Sequence, residues 1–187
     1  MLVLVAAVVG GLVGGLLLGG NLANLERLAL RLPWLVVIAL GLQIVAFSPL
    51  VDPLPHGSSV VMHIASYGLL LTFVAVNLPR PPVMLFGLGV LLNAVTIVAN
   101  RGYMPARAAA MRTAGLPVSV QPHNNSVLDG AHTHLWFLGD VVGVPHWLPL
   151  ANVFSLGDVL IAVGLAWLVA VTMKDPAPLP AAPPITE

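Results

Sequence analysis

Residues 157–173, GDVLIAVGLAWLVAVTM, decide the fold of this chain. Asp158 is the one charged residue in this stretch, and Lys174-Asp175-Pro176 follow at its C-terminal end. A helix needs about 20 apolar residues, within a range of roughly 17–25, to cross the hydrocarbon core of a bilayer. Inside that core the backbone must satisfy its own hydrogen bonds, which favours a helix. The stretch therefore predicts a transmembrane helix.

The composition of the whole chain points the same way. Of its 187 residues, 58% are hydrophobic and only 7% are charged, and the mean hydropathy is +0.99. A soluble domain carries roughly 25% charged residues to cover its water-facing surface. The composition predicts an integral membrane protein and excludes a soluble enzyme, a disordered chain and a nucleic-acid binder with a basic face. Because the chain has no cysteine, disulfides, thiolate metal sites and cysteine nucleophiles are also excluded.

The predicted architecture is an all-α integral membrane bundle of five transmembrane helices within residues 1–175. A long outer connection, residues 100–156, is expected to be ordered, partly re-entrant and folded over one mouth of the bundle. Residues 176–187 are rich in Pro and Ala and predict a disordered tail. The five helices are predicted at about residues 2–18, 34–47, 59–78, 83–98 and 157–173.

Residues 21–32, NLANLERLALRL, mix leucines with charged residues. This pattern predicts an amphipathic surface helix that Asn21 or Asn24 caps. Orientation follows from Lys and Arg in the loops, which are enriched on the cytoplasmic side. We expect the N-terminus and the long connection outside and the C-terminus inside. The inner side then carries Arg27, Arg31, Arg80 and Lys174, and the outer side Arg101, Arg107 and Arg112.

Two aspartates are the candidate catalytic residues, and both lie in a Leu-Gly-Asp-Val sequence. Asp140 belongs to the copy at 138–141 and Asp158 to the copy at 156–159. Ionisable groups at a membrane are costly, which makes each a functional candidate. Two carboxylates in a partly dry site push their pKa values apart, so that one serves as acid and the other as base. The structural alternative is that each aspartate caps its own helix or turn.

Residues 138–164 resemble part of the bacterial lipoprotein signal peptidase. Asp158-Val-Leu-Ile-Ala-Val-Gly164 is similar to the A-D-x-x-I-x-x-G signature at the start of that enzyme's last helix, and Leu138-Gly-Asp140-Val approximates the context of its other aspartate. The chain departs from the enzyme at Ser155, where the enzyme has Asn, and it has no clean Asn-x-x-Asp-Arg motif. The resemblance implies an aspartyl dyad of Asp140 and Asp158 at the outer membrane edge.

Five features spread over nearly the whole chain carry a second resemblance. They are a glycine-rich first helix, His63-x-x-Ser66-Tyr67, Asn100-x-Gly102-x-Met104-Pro105, Leu138-Gly-Asp140 and Phe154-Ser-x-Gly-Asp158. In this order they resemble a family of small bacterial multi-spanning membrane proteins known only as a domain of unknown function. The resemblance implies a bacterial origin and an envelope location, here the cytoplasmic (inner) membrane, and supplies no activity.

Histidines are the next candidates. His132 and His134 flank Thr133, and in an extended segment both rings point to one face, a geometry that with His123 suits Zn²⁺ or Cu²⁺. Ordinary loop histidines are the simpler interpretation, and no metal site is predicted. His63 and Tyr67 are four residues apart in the third helix and can share a hydrogen bond, either as buried packing or as a proton relay or ligand contact.

Asn100 and Arg101 are also candidate binding residues. Asn100-Arg101-Gly102 is expected to end the fourth helix, with Gly102 in a left-handed conformation. We expect Asn100 to line the polar site with the two aspartates and the histidine pair. Arg101 can bind a lipid phosphate, or its side chain simply extends to the headgroup layer.

Glycines form a stripe along the first helix, with small-xxx-small pairs that include Gly10 and Gly14. Such a stripe admits another helix at close range, from the same chain or from a partner. The sequence therefore leaves two functions open. One is acid–base chemistry on a membrane-linked substrate, and the other is a non-enzymatic subunit that docks a partner through Gly10 and Gly14. The sequence does not identify whether the chain is an enzyme or which cofactor or substrate it uses. The expected partners are the lipid bilayer and this helix partner, and no binding of nucleic acid is expected.

Overall fold

A computed structural model of the protein describes residues 2–118, 126–130, 132–149 and 151–174. Within these residues the chain is mostly helical, as predicted, and short strands lie in the long connection. His123 and the tail at 176–187 lie outside the described residues. The elements are α1 (Leu2–Leu17), α2 (Trp34–Ala46), α3 (Ser58–Val76), α4 (Pro81–Ala99), β1 (Met104–Ala106), α5 (Ala108–Thr113), β2 (Ser126–Leu128), β3 (Val142–Gly143), β4 (Val153–Phe154) and α6 (Leu156–Lys174).

Three of these helices are long and apolar enough to cross a membrane. They are α3, α4 and α6, each of 19 residues, and at about 1.5 Å per residue each is about 28 Å long. The apolar helices α1 and α2 have 16 and 13 residues, so the predicted count of five spans is not confirmed. Large apolar side chains such as Val61, Val98 and Trp167 are exposed on the outside of the bundle, as expected where lipid rather than water is the surrounding medium.

The five long helices pack side by side in the order α2, α3, α4, α6 and α1. The contact between α1 and α6 is close because α1 presents glycine there. A Cβ at Gly11 would lie 2.7 Å from the carbonyl oxygen of Ala166, and one at Gly15 would lie 2.6 Å from the sulfur of Met173. Part of the predicted glycine stripe therefore packs within the chain.

We call the end of the bundle that carries residues 100–155 the connection end, and the other the opposite end. At the opposite end the predicted amphipathic helix is replaced by a short 3₁₀ helix, Leu22–Arg27, which Asn21 caps by accepting a hydrogen bond from the Ala23 N–H at 2.9 Å. Leu28 and Leu30, two residues apart, then pack against the core. A two-residue period suits an extended segment, which explains why the helix stops early.

The long connection is a small folded unit. β1 pairs in parallel with β2 on one side, and Ala106 forms a bridge with Asp140 on the other. β3 and β4 form an antiparallel pair. Where a re-entrant segment was predicted, the chain forms a 3₁₀ turn, Trp136–Leu138, and then pairs with β1. The buried core of this unit consists of Ala106, Ala110, Met111, Ala114 and Val153.

Candidate functional site

A polar cavity of about 490 Å³ lies at the connection end, between the helix ends and the folded connection. Four of the predicted site residues line it. Among the described residues, its lining contains carboxylates, amides, a histidine and a tyrosine but neither Lys nor Arg. We call it the polar cavity, and its polar lining is Gln43, His63, Tyr67, Asn93, Ser126, Asp140, Asn152 and Asp158.

Asp158 begins α6 as half of a reciprocal cap. Its Oδ2 accepts a hydrogen bond from the Ser155 N–H at 3.1 Å, and its own N–H donates to the Ser155 hydroxyl at 2.9 Å. This is the capping-box arrangement, which satisfies two backbone donors at a helix N-terminus. The structural interpretation of Asp158 is thus realised, and the same carboxylate also lines the polar cavity.

Asn93 joins this cap to α4. Its amide nitrogen donates to Oδ1 of Asp158 at 2.8 Å, and its Oδ1 accepts from the Ser155 hydroxyl at 2.9 Å. Asn93 and Ser155 are 1% and 0% exposed, so both oxygens of Asp158 are held by donors in a largely dry setting. The orientation of this carboxylate is therefore fixed by two helices together.

Asp140 reaches the cavity from the connection. Its backbone pairs with β1, since its N–H donates to the Pro105 carbonyl at 2.7 Å and its carbonyl accepts from the Arg107 N–H at 3.0 Å. Its side chain is buried and hydrogen-bonds to Ser126. Burial, and after it the charge of Asp158, raises the pKa of Asp140 well above its usual range, against the opposing effect of Ser126. The two carboxylates are thus electrostatically coupled.

The glycine that precedes each aspartate lets it reach this position. A Cβ at Gly139 would overlap the carbonyl oxygen of Pro105, and a Cβ at Gly157 would overlap Oδ1 of Asn93. Only a residue without a side chain allows these contacts. The two Leu-Gly-Asp-Val copies are therefore used in the same way. In each, the glycine packs against a neighbouring element and the aspartate that follows it lines the cavity.

His63 and Tyr67 line the same cavity from α3. The Nδ1–H of His63, which is 2% exposed, donates to the Gly102 carbonyl at 2.9 Å, which leaves Nε2 as an acceptor when the ring is neutral. In place of the predicted shared hydrogen bond, the two rings make an edge-on contact with centroids 5.5 Å apart. The Tyr67 hydroxyl lies within hydrogen-bonding reach of the Asn93 side chain.

The other predicted binding residues lie away from the cavity, contrary to expectation. The side chain of Asn100 donates to the His134 carbonyl and accepts from the His134 N–H, both at 2.8 Å. Asn100 therefore binds the connection to α4, and neither it nor His132 nor His134 is among the described lining residues. Arg101 is exposed at the end of α4 with φ +58°, beside Gly102 with φ +98°, the left-handed conformation predicted there.

Among the residues that the structure describes, no group of three or more His, Asp and Glu side chains is placed to hold a metal ion.

Sequence reasoning missed several residues of the cavity. Gln43 could have been found, because it is the one amide in an otherwise apolar helix and such a group is costly within a membrane. It donates to the Ser66 hydroxyl at 2.9 Å. Ser126 and Asn152 carry no signal in the sequence, since each is a single common polar residue in a loop and belongs to no motif.

Fold and site together define the class as a helical protein with three helices able to cross a membrane and two aspartates, one buried and one half-buried, at a polar cavity beneath a folded connection. The chain belongs to a family of unknown function (DUF5317), whose model matches residues 27–170. That range contains every residue of the carboxylate pair and its cap, and it leaves α1 outside. No curated protein and no solved structure matches the chain.

Proposed function

We propose that the protein is a five-helix integral protein of the bacterial cytoplasmic (inner) membrane that performs aspartyl-type acid–base chemistry on a membrane-linked substrate at the outer face. The observation that carries this proposal is the meeting of Asp140 and Asp158 at one cavity. The raised pKa of Asp140, caused by burial and by the charge of Asp158, adds to it, because unequal pKa values divide the acid and base roles between two carboxyl groups.

Asp140, whose raised pKa favours the protonated form, serves as the acid, and Asp158 serves as the base. In hydrolysis of an ester or amide, Asp158 takes a proton from water while the water oxygen bonds to the carbonyl carbon. Asp140 gives its proton to the leaving oxygen or nitrogen as the carbon–heteroatom bond breaks. The proton on Asp158 then passes to Asp140, directly or through solvent, and the starting state returns. Asn93 and Ser155 keep Asp158 oriented throughout.

The test compares single substitutions at the two aspartates with an exposed aspartate. Membranes that contain the full chain, Asp140→Asn, Asp158→Asn or Asp52→Asn are incubated and their lipids and lipid-linked peptides analysed by mass spectrometry. We expect a species that the unaltered chain converts and that both dyad variants leave about 10²–10⁴-fold less converted. Asp52 is exposed, so its variant should match the unaltered chain. The same spectra from all four samples would contradict the proposal.

A non-enzymatic subunit is the second candidate, and one observation favours it. Gly11 and Gly15 pack on α6, whereas a Cβ at Gly10 or Gly14 would meet nothing within 4 Å. These two glycines leave a surface on α1 that a helix of another chain can approach closely. Cross-linking in membranes tests this: Gly10→Leu with Gly14→Leu should abolish a cross-linked partner band. Gly68→Leu is the matched control, since Gly68 on α3 is equally open. An unchanged band in the double variant would exclude this surface.

A further inference from the structure

A second cavity, of about 620 Å³ and mostly apolar, lies between α1 and α2. Side chains of α3, α4 and α6 form its base, so all five long helices contribute to it. We call it the apolar groove. Val9 lines it from α1 and Val37 from α2, and Phe73 and Phe86 lie at its base. The groove runs along helices whose outward-facing side chains are apolar. In a membrane, the molecules available to fill it are therefore those of the bilayer.

The apolar groove and the polar cavity adjoin each other. Val3, Gln43, Tyr67 and Asp158 line both. One molecule can therefore lie with an apolar body along the helices and a polar end beside the carboxylate pair. Both volumes fall within the roughly 300–1,000 Å³ of small-molecule sites.

The charges of the lining side chains determine which polar group that molecule can carry. No Lys or Arg lines either space among the described residues, and two aspartates line the polar one. A phosphate group there would face carboxylate charge without a cation to offset it, which is costly in a dry site. Carboxyl and amide side chains instead pair well with hydroxyl or amide groups.

We propose that this site takes a neutral single-chain amphiphile, with its alkyl chain in the apolar groove and an uncharged hydroxyl- or amide-bearing head in the polar cavity beside Asp158. This inference rests on the proposed function, because it names the substrate class of the same site. It differs from it in being a statement about binding, which can be measured without turnover.

The experiment uses the full chain in lipid nanodiscs and a monoacylglycerol that carries a photoreactive diazirine in its alkyl chain. Val37→Trp places a large ring in the apolar groove, and Val61→Trp adds the same ring to an exposed site on α3 outside it; the two valines are 69% and 67% exposed. We expect saturable labelling on α1 and α2 that falls at least tenfold in Val37→Trp and is unchanged in Val61→Trp. Val9→Phe, on the facing wall, should reduce labelling as well, and thermal unfolding should show both groove variants folded.

Competition identifies the head group. Unlabelled monoacylglycerol should displace the probe at a concentration at least tenfold lower than lysophosphatidic acid of the same chain length. Equal labelling of Val37→Trp and Val61→Trp, or equal competition by the phosphate lipid, would overturn the inference. The two proposals fail separately. Saturable labelling without aspartate-dependent turnover removes only the enzymatic role, and aspartate-dependent turnover without groove-dependent labelling removes only the inferred substrate class.

Discussion

The two ends of the bundle each bury an ionisable side chain, and the surroundings of the two side chains differ. At the opposite end Arg80, 5% exposed, donates from Nη1 to Asn77 at 2.9 Å and from Nη2 to the Ala29 carbonyl at 2.8 Å, while its buried Nε has no partner among the described residues. At the connection end Asp140, 6% exposed, faces a cavity. Burial of an ionisable group is costly in both places. At the opposite end, bonds inside the chain offset most of that cost, whereas the connection end leaves room for a ligand.

Asparagine shows how similar the two ends are otherwise. Asn77 ends α3 and exchanges hydrogen bonds with the backbone of Arg31, donating at 2.9 Å and accepting at 2.8 Å. Asn100 ends α4 and does the same with the backbone of His134. Both residues attach a distant segment to a helix end. The connection end is therefore distinguished as the candidate functional end by the carboxylate pair and its cavity, and not by the buried amide.

The largest effect is expected from removing the partner of Arg80. Asn77→Ala removes one of the two bonds of the buried guanidinium and both bonds between Asn77 and the Arg31 backbone. It should lower the free energy of unfolding by about 3–5 kcal/mol, because several buried polar groups then lack a partner. Asn24→Ala, which removes a single bond to the Met173 carbonyl, should cost about 1 kcal/mol. Unfolding by SDS in mixed micelles measures both. Equal costs for the two variants would contradict the role assigned to Asn77.

The next effect tests the glycines of the connection end. Gly139→Ala and Gly157→Ala should each destabilise the protein by about 1–3 kcal/mol, because the added methyl group overlaps Pro105 or Asn93. Both should also displace an aspartate and abolish turnover. Gly130→Ala and Gly68→Ala are the controls, since nothing lies within 4 Å of a Cβ at either. In the helix, Gly68→Ala should stabilise by about 0.5–1 kcal/mol.

A smaller effect should appear in the pH dependence of stability. Because the pKa of Asp140 is raised in the folded state, the unfolded chain loses this proton first as pH rises. The free energy of unfolding should therefore fall by up to about 1.4 kcal/mol per pH unit, from about pH 3.9 up to the folded-state pKa, and then level off. Unfolding curves across that range should show this slope. Asp140→Asn should abolish this slope, and Asp158→Asn should confine the slope to a narrower pH range. A slope that persists in Asp140→Asn would point to another group.

The smallest expected effect concerns Arg101. Its left-handed backbone, with φ +58°, suits glycine, so Arg101→Gly should stabilise the end of α4 by about 0.5–1 kcal/mol. Ala109→Gly, on the exposed face of α5, is the control. It should lower the free energy of unfolding by a similar amount, so the same measurement should show opposite signs for the two variants. If Arg101→Gly instead weakens binding of the monoacylglycerol probe, the predicted binding role of Arg101 stands and the two ends differ by more than the carboxylate pair.

The positions of the helices could be predicted from local sequence more accurately than the structure of the long connection. Leu, Val and Ala runs make a helix wherever they occur in a membrane, so α3, α4 and α6 lie within a few residues of their predicted positions. Residues 21–32 do not form the one helix predicted, because the Arg31 backbone is held in an extended segment by hydrogen bonds to the distant Asn77 side chain. β1 and β2 were missed for the same reason, since each has three residues and pairs with a segment about twenty residues away.

The sequence by itself determined the apolar helices, three of them long enough to cross a membrane, and the two aspartates of the candidate site, because hydropathy and the cost of a charge near lipid are properties of short segments. Only the tertiary structure decided which polar groups share a site. It brought Asp140 and Asp158 to one cavity with His63 and Tyr67, and it assigned Asn100 to the backbone of His134. The physical reason is that such meetings depend on close packing between distant elements, as where Gly139 lies against Pro105 and Gly157 against Asn93.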